Sequence, residues 1–163
     1  MKKNRWLTGI LALVAAIWLL PVNAICAKDP IVLGVPTSLG FLEGKESYKA
    51  VQMAVEEINA AGGVQLGDQS RDFKLTSIDI RDAAPGVPVP EALLGLEKII
   101  LEEEPAALLI GPFRSEALMA GMDIIAKYKV PLLGTIAMSP GSEKKIKEDP
   151  EKYKYIFRVC LNA

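Results

Sequence analysis

From residue 31 onward, short apolar runs alternate with segments whose apolar residues recur at helical spacing. The runs IVLGV (31–35) and AALLI (106–110) have the length and composition of strands buried on both faces of a sheet. One helical face is predicted from apolar residues at intervals of three and four, namely Tyr48, Val51, Val55 and Ile58. Strands that alternate with helices form a parallel sheet with right-handed crossovers and helices on both faces. The pattern therefore predicts a three-layer α/β domain.

Five strands are predicted in this way, at 31–35, 73–80, 106–110, 130–134 and 154–159. The first helix ends at AAGG, because Gly62 and Gly63 accept the left-handed conformation of a helix terminus. The second helix starts near Pro90 and stops before Pro105, the third follows Ser115, and a short one covers 143–148. We expect the strand order 2-1-3-4-5. The predicted core includes Leu33, Leu109, Ile110 and Leu132.

Residues 1–27 have the pattern of a signal peptide. Three basic residues precede an apolar run from Trp6 to Leu20, Pro21 ends that run, and small residues suited to cleavage follow, up to Ala27. The run is shorter than the roughly 20 residues that span a bilayer. We therefore predict export to a periplasmic or other extracytoplasmic location, with an uncleaved membrane anchor as the alternative.

The two cysteines do not form a disulfide framework. Cys26 could be the acylated residue of a lipoprotein, but bulky Ile25 precedes it where lipoprotein processing requires a small side chain. Lipid anchoring is therefore not expected. Cleavage after Ala27 would remove Cys26 and leave Cys160 unpaired.

Composition excludes several classes of function. Beyond residue 27 there are 16 Lys and Arg against 20 Asp and Glu, a net charge of −4, and no basic stripe, so nucleic-acid binding is not expected. The chain has no His, which removes Ser-His-Asp and Cys-His catalysis and the usual zinc ligands. It also lacks P-loop, GxSxG and GxGxxG motifs. We predict a protein that is not an enzyme and that requires neither cofactor nor metal.

Asp79 and Asp82 flank Arg81 after the second predicted strand. Such a cluster usually supplies hydrogen bonds to turns and helix ends. A catalytic carboxylate pair is the alternative, but the sequence offers it no identifiable partner.

The segment LLIGPFRSEAL (108–118) passes from a strand into a helix through polar residues. For a 2-1-3-4-5 sheet, ligands bind beyond the carboxyl ends of the first and third strands, which places this elbow and the loop PTSLGFLEGK (36–45) at the expected crevice. Gly111 allows a close approach to a ligand, and Pro112 stiffens the turn. The helix start at Ser115 offers free N–H groups and a hydroxyl to an anion. Alternatively, Ser115 caps its own helix.

The neighbours of Ser115 are further candidates for ligand contact. Phe113 is the aromatic residue of the elbow, and Arg114 could pair with a ligand carboxylate or remain a solvated charge. Glu116 could face a ligand ammonium group or interact with the positive end of the helix dipole.

Four motifs together resemble a known family. AVEEINAAGGV (54–64), LLIGPFRSEA (108–117), KVPLLGTIAMSP (129–140) and YIFRV (155–159) are similar to the amino-terminal lobe of type I periplasmic binding proteins. Within that group, the chain resembles the leucine-isoleucine-valine-binding family of ABC-transporter substrate-binding proteins. The resemblance covers residues 31–159.

The resemblance implies a monomeric protein that captures a small polar solute between two hinged lobes and delivers it to a membrane ABC permease. Residues 28–163 would form the amino-terminal lobe, with the second lobe outside this chain. The solute would be an amino acid or another small carboxylate. The same architecture also serves as the extracytoplasmic sensing domain of signalling receptors, which is the alternative function. A mature amino terminus near Lys28 would favour the soluble carrier.

The resemblance also implies contact residues. A Ser at the place of Ser115 holds the ligand carboxylate, and a backbone carbonyl at the place of Ile136 accepts from the ligand ammonium. In the same loop Ala137 follows, and Met138 occupies the position of a hydroxyl donor.

The first loop departs from the family in a similar way. A contact aromatic falls at Glu43, and the nearest aromatic residue is Phe41. Because Met138 and Glu43 both differ from the family pattern, we expect the site to be tuned to a different ligand.

Overall fold

A computed structural model describes residues 29–161. The predicted signal peptide, residues 1–27, therefore lies outside the described residues. Within 29–161 no helix has the length and apolar composition needed to cross a membrane. The strands are β1 (Ile31–Thr37), β2 (Val64–Leu66), β3 (Gln69–Arg71), β4 (Phe73–Asp79), β5 (Ala107–Ile110), β6 (Leu132–Gly134) and β7 (Ile156–Arg158). The helices are α1 (Leu42–Ala60), α2 (Val89–Glu103), α3 (Ser115–Tyr128), α4 (Gly141–Glu148) and α5 (Pro150–Tyr153).

Five strands form one parallel sheet in the order β4-β1-β5-β6-β7. Numbered among themselves along the chain, these strands have the order 2-1-3-4-5, and the predicted three-layer α/β fold is confirmed. β2 and β3 form a separate antiparallel hairpin between α1 and β4, which was not predicted. The short helix α5 was also not predicted.

The main core lies between one face of the sheet and helices α2 and α3. Leu108, Leu132 and Ile156 are buried on that face. Leu118, Met122 and Ile125 form the inner face of α3 and are buried against the same cluster. Fully burying a side chain of this size contributes roughly 1.5–3 kcal/mol each.

The opposite face of the sheet is covered less completely. Leu133 and Phe157 are register partners in β6 and β7, and they remain 39% and 53% exposed. Helix α1 contacts β4 and β5. Leu109 was predicted to be in the core, and this prediction is wrong. Leu109 is only half-buried, since it is the register neighbour of Leu133 on this less covered face.

The face predicted for α1 needs a similar correction. Val55 is buried and Tyr48 and Val51 are partly covered, but Ile58 is 38% exposed. The predicted core residues Leu33, Ile110 and Leu132 are buried.

The INAAGG segment ends α1 as predicted. Gly62 and Gly63 have φ values of 101° and 77°, and a Cβ at Gly63 would lie 2.5 Å from the Arg71 carbonyl oxygen. Asn59, in the last turn, donates through Nδ2 to the Phe73 carbonyl at 2.9 Å. Its Oδ1 accepts from the Phe73 N–H, also at 2.9 Å. This side chain thus fastens the end of α1 to the start of β4.

Asp123 joins three helices. Its carboxylate, on α3, accepts hydrogen bonds from Lys145 at 2.8 Å, Lys152 at 2.5 Å and Tyr153 at 2.8 Å. The hydrogen bond from Lys145, and after it the one from Lys152, hold the pKa of Asp123 well below its usual range. The network therefore stabilises the packing of α4 and α5 against α3.

Replacing Asp123 with Asn should lower the free energy of unfolding by roughly 1 kcal/mol at neutral pH, because half-exposed ion pairs contribute about that amount or less. A lowered folded-state pKa gives stability that is complete above the unfolded-state value of about 3.9 and lost as the pH falls below it. The difference between the two proteins should therefore shrink below about pH 4. Thermal unfolding over a pH series measures this difference. A difference that stayed constant into acid would contradict the assignment.

Candidate functional site

An open cavity of about 820 Å³ lies at the carboxyl edge of the sheet, where the sequence predicted a ligand crevice. Its walls come from the first turns of α1, the elbow after β5, the loop after β6 and the segment after β7. Of the predicted contact residues, Glu43, Phe113, Ile136 and Met138 line it. The lining residues that were not predicted are Glu46, Ser47, Thr135, Val159, Cys160 and Leu161.

The elbow after β5 has an unusual backbone. Ile110 and Gly111 have φ values of 69° and 79°, and the Gly111 N–H donates to the Leu109 carbonyl at 2.8 Å, which closes a γ-turn centred on Ile110. A positive φ at a β-branched residue is an outlier, and such strain costs roughly 1–3 kcal/mol. Since the side chain of Ile110 is 2% exposed, core packing holds the turn. The elbow thereby directs residues 112–114 sharply into α3.

Asp82 connects the three loops at this edge. It is fully buried, and its carboxylate accepts from the Ser38 hydroxyl at 2.6 Å and the Arg114 N–H at 2.7 Å. The Ser38 oxygen in turn accepts from the Ala83 N–H at 2.7 Å. Asp79 similarly accepts from the backbone N–H groups of Leu39 and Arg81. These bonds agree with the interpretation of both aspartates as turn and loop residues.

The Arg114 guanidinium is directed to a loop, and it does not line the cavity. Its Nη2 donates to the Val87 carbonyl at 3.0 Å, after β4, and its Nη1 lies 3.9 Å from the carboxylate of Glu116. Glu116 is exposed on α3 and does not line the cavity either. Both residues therefore have partners within the lobe, and their contact with a ligand stays a prediction.

Ser115 is the first residue of α3, and Arg114 is the N-cap, without a side-chain capping bond. The Ser115 oxygen accepts instead from the Ser139 N–H, at 3.2 Å, in the loop after β6. The alternative that Ser115 caps its own helix is thus wrong. The hydroxyl links two loops of the site and keeps its proton available to donate.

In the loop after β6, alternate residues have opposite orientations. Ile136 and Met138 line the cavity, whereas Ala137 is 4% exposed and packs in the core. The Ala137 carbonyl accepts from the Cys160 thiol at a sulfur-oxygen distance of 3.3 Å. Ala137 therefore positions the loop and contributes no side chain to the cavity.

The two phenylalanines form an edge-to-face pair, with ring centroids 5.0 Å apart and an interplanar angle of 61°. Phe113 lines the large cavity, and Phe41 lines a smaller one of about 220 Å³ between the loops after β1 and β4. The pair therefore separates the two cavities. The sequence predicted both as ligand contacts, and the structure places only Phe113 on the large cavity.

The wall formed by α1 is acidic. Glu43 and Glu46 lie one turn apart, and Ser47 is adjacent on the same helix, a spacing that the sequence could have revealed. A hydrogen bond from Lys49, at 2.8 Å, lowers the pKa of Glu46. No Lys or Arg is among the described residues that line the cavity. The open cavity therefore favours a ligand with a positive group on this side.

The chain matches no protein-family profile and no curated protein sequence. Its structure matches a protein from Silicibacter pomeroyi described as a branched-chain amino acid ABC transporter, with a TM-score of 0.68 and 25% identity over 82% of this chain and 32% of that one. The chain has the fold of one lobe of a type I periplasmic binding protein. The fold predicted from the sequence resemblance is thereby confirmed.

Two further structures share this lobe. The substrate-binding protein LivJ from Streptococcus pneumoniae, solved with isoleucine, gives a TM-score of 0.66 at 23% identity over 82% of this chain and 34% of LivJ. The leucine-binding protein LivK from Thermotoga maritima gives 0.60 at 21% identity over 81% of this chain and 33% of LivK. At these identities the likeness concerns the fold. The chain spans about a third of the length of the structures it matches.

Proposed function

We propose that this chain is part of the extracytoplasmic solute-binding component of an ABC transporter, and that it acts without catalysis. The match to a branched-chain amino acid transport protein over 82% of the chain carries the proposal. The position of the cavity supports it, since ligands of open parallel sheets bind beyond the carboxyl ends of the strands. The partners would be a small solute and a membrane permease.

The chemistry of the cavity walls favours a zwitterionic amino acid with an apolar side chain. Ser115 is not among the described residues that line the cavity, but it begins α3 two residues after the lining residue Phe113. The free backbone N–H groups at this end of α3 and the Ser115 hydroxyl are suited to a carboxylate. On the α1 side, Glu43 is suited to an ammonium group, with the Ile136 carbonyl as a second acceptor. Phe113 and Met138 supply apolar surface for the remainder of the solute.

The cavity is open, so the described lobe contacts one side of a solute. Tight binding of small ligands requires burial of most of their surface. We propose that a second lobe, from polypeptide outside residues 29–161, closes the other side, as the length of the matched structures suggests.

The binding experiment is a thermal-shift and calorimetric screen of the complete exported protein. Because Glu43 and Met138 depart from the family pattern, the screen covers all apolar amino acids and not only leucine and isoleucine. At least one of them should raise the melting temperature, whereas the keto acid and the amine derived from that amino acid should have much weaker effects. Each derivative lacks one of the two charged groups, and a lost charged hydrogen bond weakens binding by roughly 1.5–3 kcal/mol. Equal stabilisation by a derivative would contradict zwitterion recognition. A complete screen of amino acids and small carboxylates without any shift would contradict the proposed function.

A further inference from the structure

Charge is distributed very unevenly along the chain. Residues 29–123 contain seven Lys and Arg against sixteen Asp and Glu, a net charge of −9. Residues 124–163 contain eight against four, a net charge of +4. Such asymmetry between two parts of a sequence is typical of proteins that contact a charged surface. The positive segment includes the end of α3, both short helices and the last two strands of the sheet.

Four lysines of this segment surround one concavity of about 390 Å³, which we call the basic patch: Lys127, Lys129, Lys152 and Lys154. Tyr155 and the two acidic residues Asp123 and Glu151 line the same concavity. Lys129 precedes β6 and Lys154 precedes β7, so the patch lies at the amino-terminal edge of the parallel sheet. The cavity for the solute is at the opposite edge.

Carboxylates partly compensate the positive charges of these lysines, but the lysine side chains remain exposed to solvent. Lys127 pairs with Glu97 at 3.0 Å, Lys152 with Asp123 at 2.5 Å, and Lys154 with Glu151 at 3.2 Å. These three lysine side chains are 63%, 47% and 54% exposed.

Lys129 is exposed, and among the described residues it has no ion pair. Asp123 also pairs with Lys145, at the margin of the patch, so this surface keeps an excess of positive charge.

We propose that the basic patch binds the phosphate headgroups of an anionic phospholipid surface. Each Lys near an anionic lipid surface adds to the electrostatic attraction between protein and membrane, and this attraction decays within a Debye length. A protein partner fits less well, because the centres of protein interfaces are depleted in Lys and enriched in large aromatic residues and Arg. The concavity contains one aromatic residue, Tyr155, and no Arg.

Binding through this edge leaves the carboxyl edge of the sheet away from the lipid. The solute cavity would then stay open while the protein is held near the membrane. This inference requires an extracytoplasmic protein but no particular solute, so it can fail while the proposed transport function holds.

The test is co-sedimentation of the exported protein with vesicles of phosphatidylglycerol and phosphatidylcholine in equal parts, and with vesicles of phosphatidylcholine alone. The patch variant carries Lys127→Gln, Lys129→Gln, Lys152→Gln and Lys154→Gln. The control variant carries the same change at four exposed lysines of the other segment, Lys45, Lys49, Lys74 and Lys98, and so has the same net charge.

We expect the natural protein to bind the anionic vesicles at low salt and to be released by added salt. The patch variant should lose at least about tenfold in partition coefficient, and the control variant less than about threefold. A third variant with Arg at the four patch positions should keep binding, which separates charge from folding. The proposal is overturned if the protein does not bind anionic vesicles or binds neutral vesicles equally well. It is also overturned if the partition coefficient falls by the same factor in the patch variant and in the control variant. Binding to polyglutamate without binding to vesicles would also overturn it.

Discussion

Replacement of Asp82 with Ala should lower the free energy of unfolding by roughly 3 kcal/mol or more. The carboxylate is fully buried and accepts hydrogen bonds from Ser38 and Arg114, which belong to two different loops. Its removal leaves two donors without their acceptor, and a buried donor left unsatisfied costs about 1–3 kcal/mol. The chain segments that shape the carboxyl edge would lose their common connection, so solute binding should weaken as well.

Denaturant unfolding of the protein measures this loss of stability. Asp68→Ala is the matched control, since Asp68 is an exposed Asp in the turn between β2 and β3, remote from the sheet edge. It should change stability by less than about 0.5 kcal/mol. Asp82→Asn should fall between the two, because its amide keeps one acceptor oxygen but presents an N–H group to the other donor. If Asp82→Ala were as mild as Asp68→Ala, Asp82 would not hold the loops together.

The order of strands was predictable because apolar runs and amphipathic segments alternate throughout the lobe. A parallel sheet is then the arrangement that buries the runs, and the connection rules limit its topology. The end of α1 was predictable for a local reason, because the chain has positive φ at this helix end and Gly62 and Gly63 accept it without steric cost. Features that depend on residues close together in the sequence could thus be predicted from the sequence alone.

The role of Asp82 as the acceptor that joins separate loops could not be predicted from the sequence. Its partners are 32 and 44 residues distant in the sequence, and local spacing carries no information on such contacts. Leu109 was misjudged because its burial depends on how far α1 extends over the sheet. The orientation of Ala137 was missed for a related reason: its burial follows from the path of the loop after β6, which is linked to Ser115 and Cys160 by hydrogen bonds.

Ser115→Ala should reduce affinity for a zwitterionic solute by about ten- to a hundredfold. The change removes a hydroxyl donor at the positive end of α3, and a hydrogen bond to a charged group contributes roughly 1.5–3 kcal/mol. Stability should fall as well, by about 1 kcal/mol, because the hydroxyl also accepts from the Ser139 N–H. The structure therefore predicts two effects of one substitution, and they must be separated.

Ser142→Ala provides that separation. Ser142 is buried, and its hydroxyl donates to the Ser139 carbonyl at 3.2 Å, so this change removes a hydrogen bond to the same loop residue without altering a predicted contact of the solute. Both variants should lower the melting temperature to a similar extent, whereas the dissociation constant should increase in Ser115→Ala alone. Calorimetry with the solute found in the screen and thermal unfolding without it measure the two quantities. Equal loss of affinity in both variants would mean that Ser115 acts through the position of the loop, and an unchanged dissociation constant in Ser115→Ala would remove it from the site.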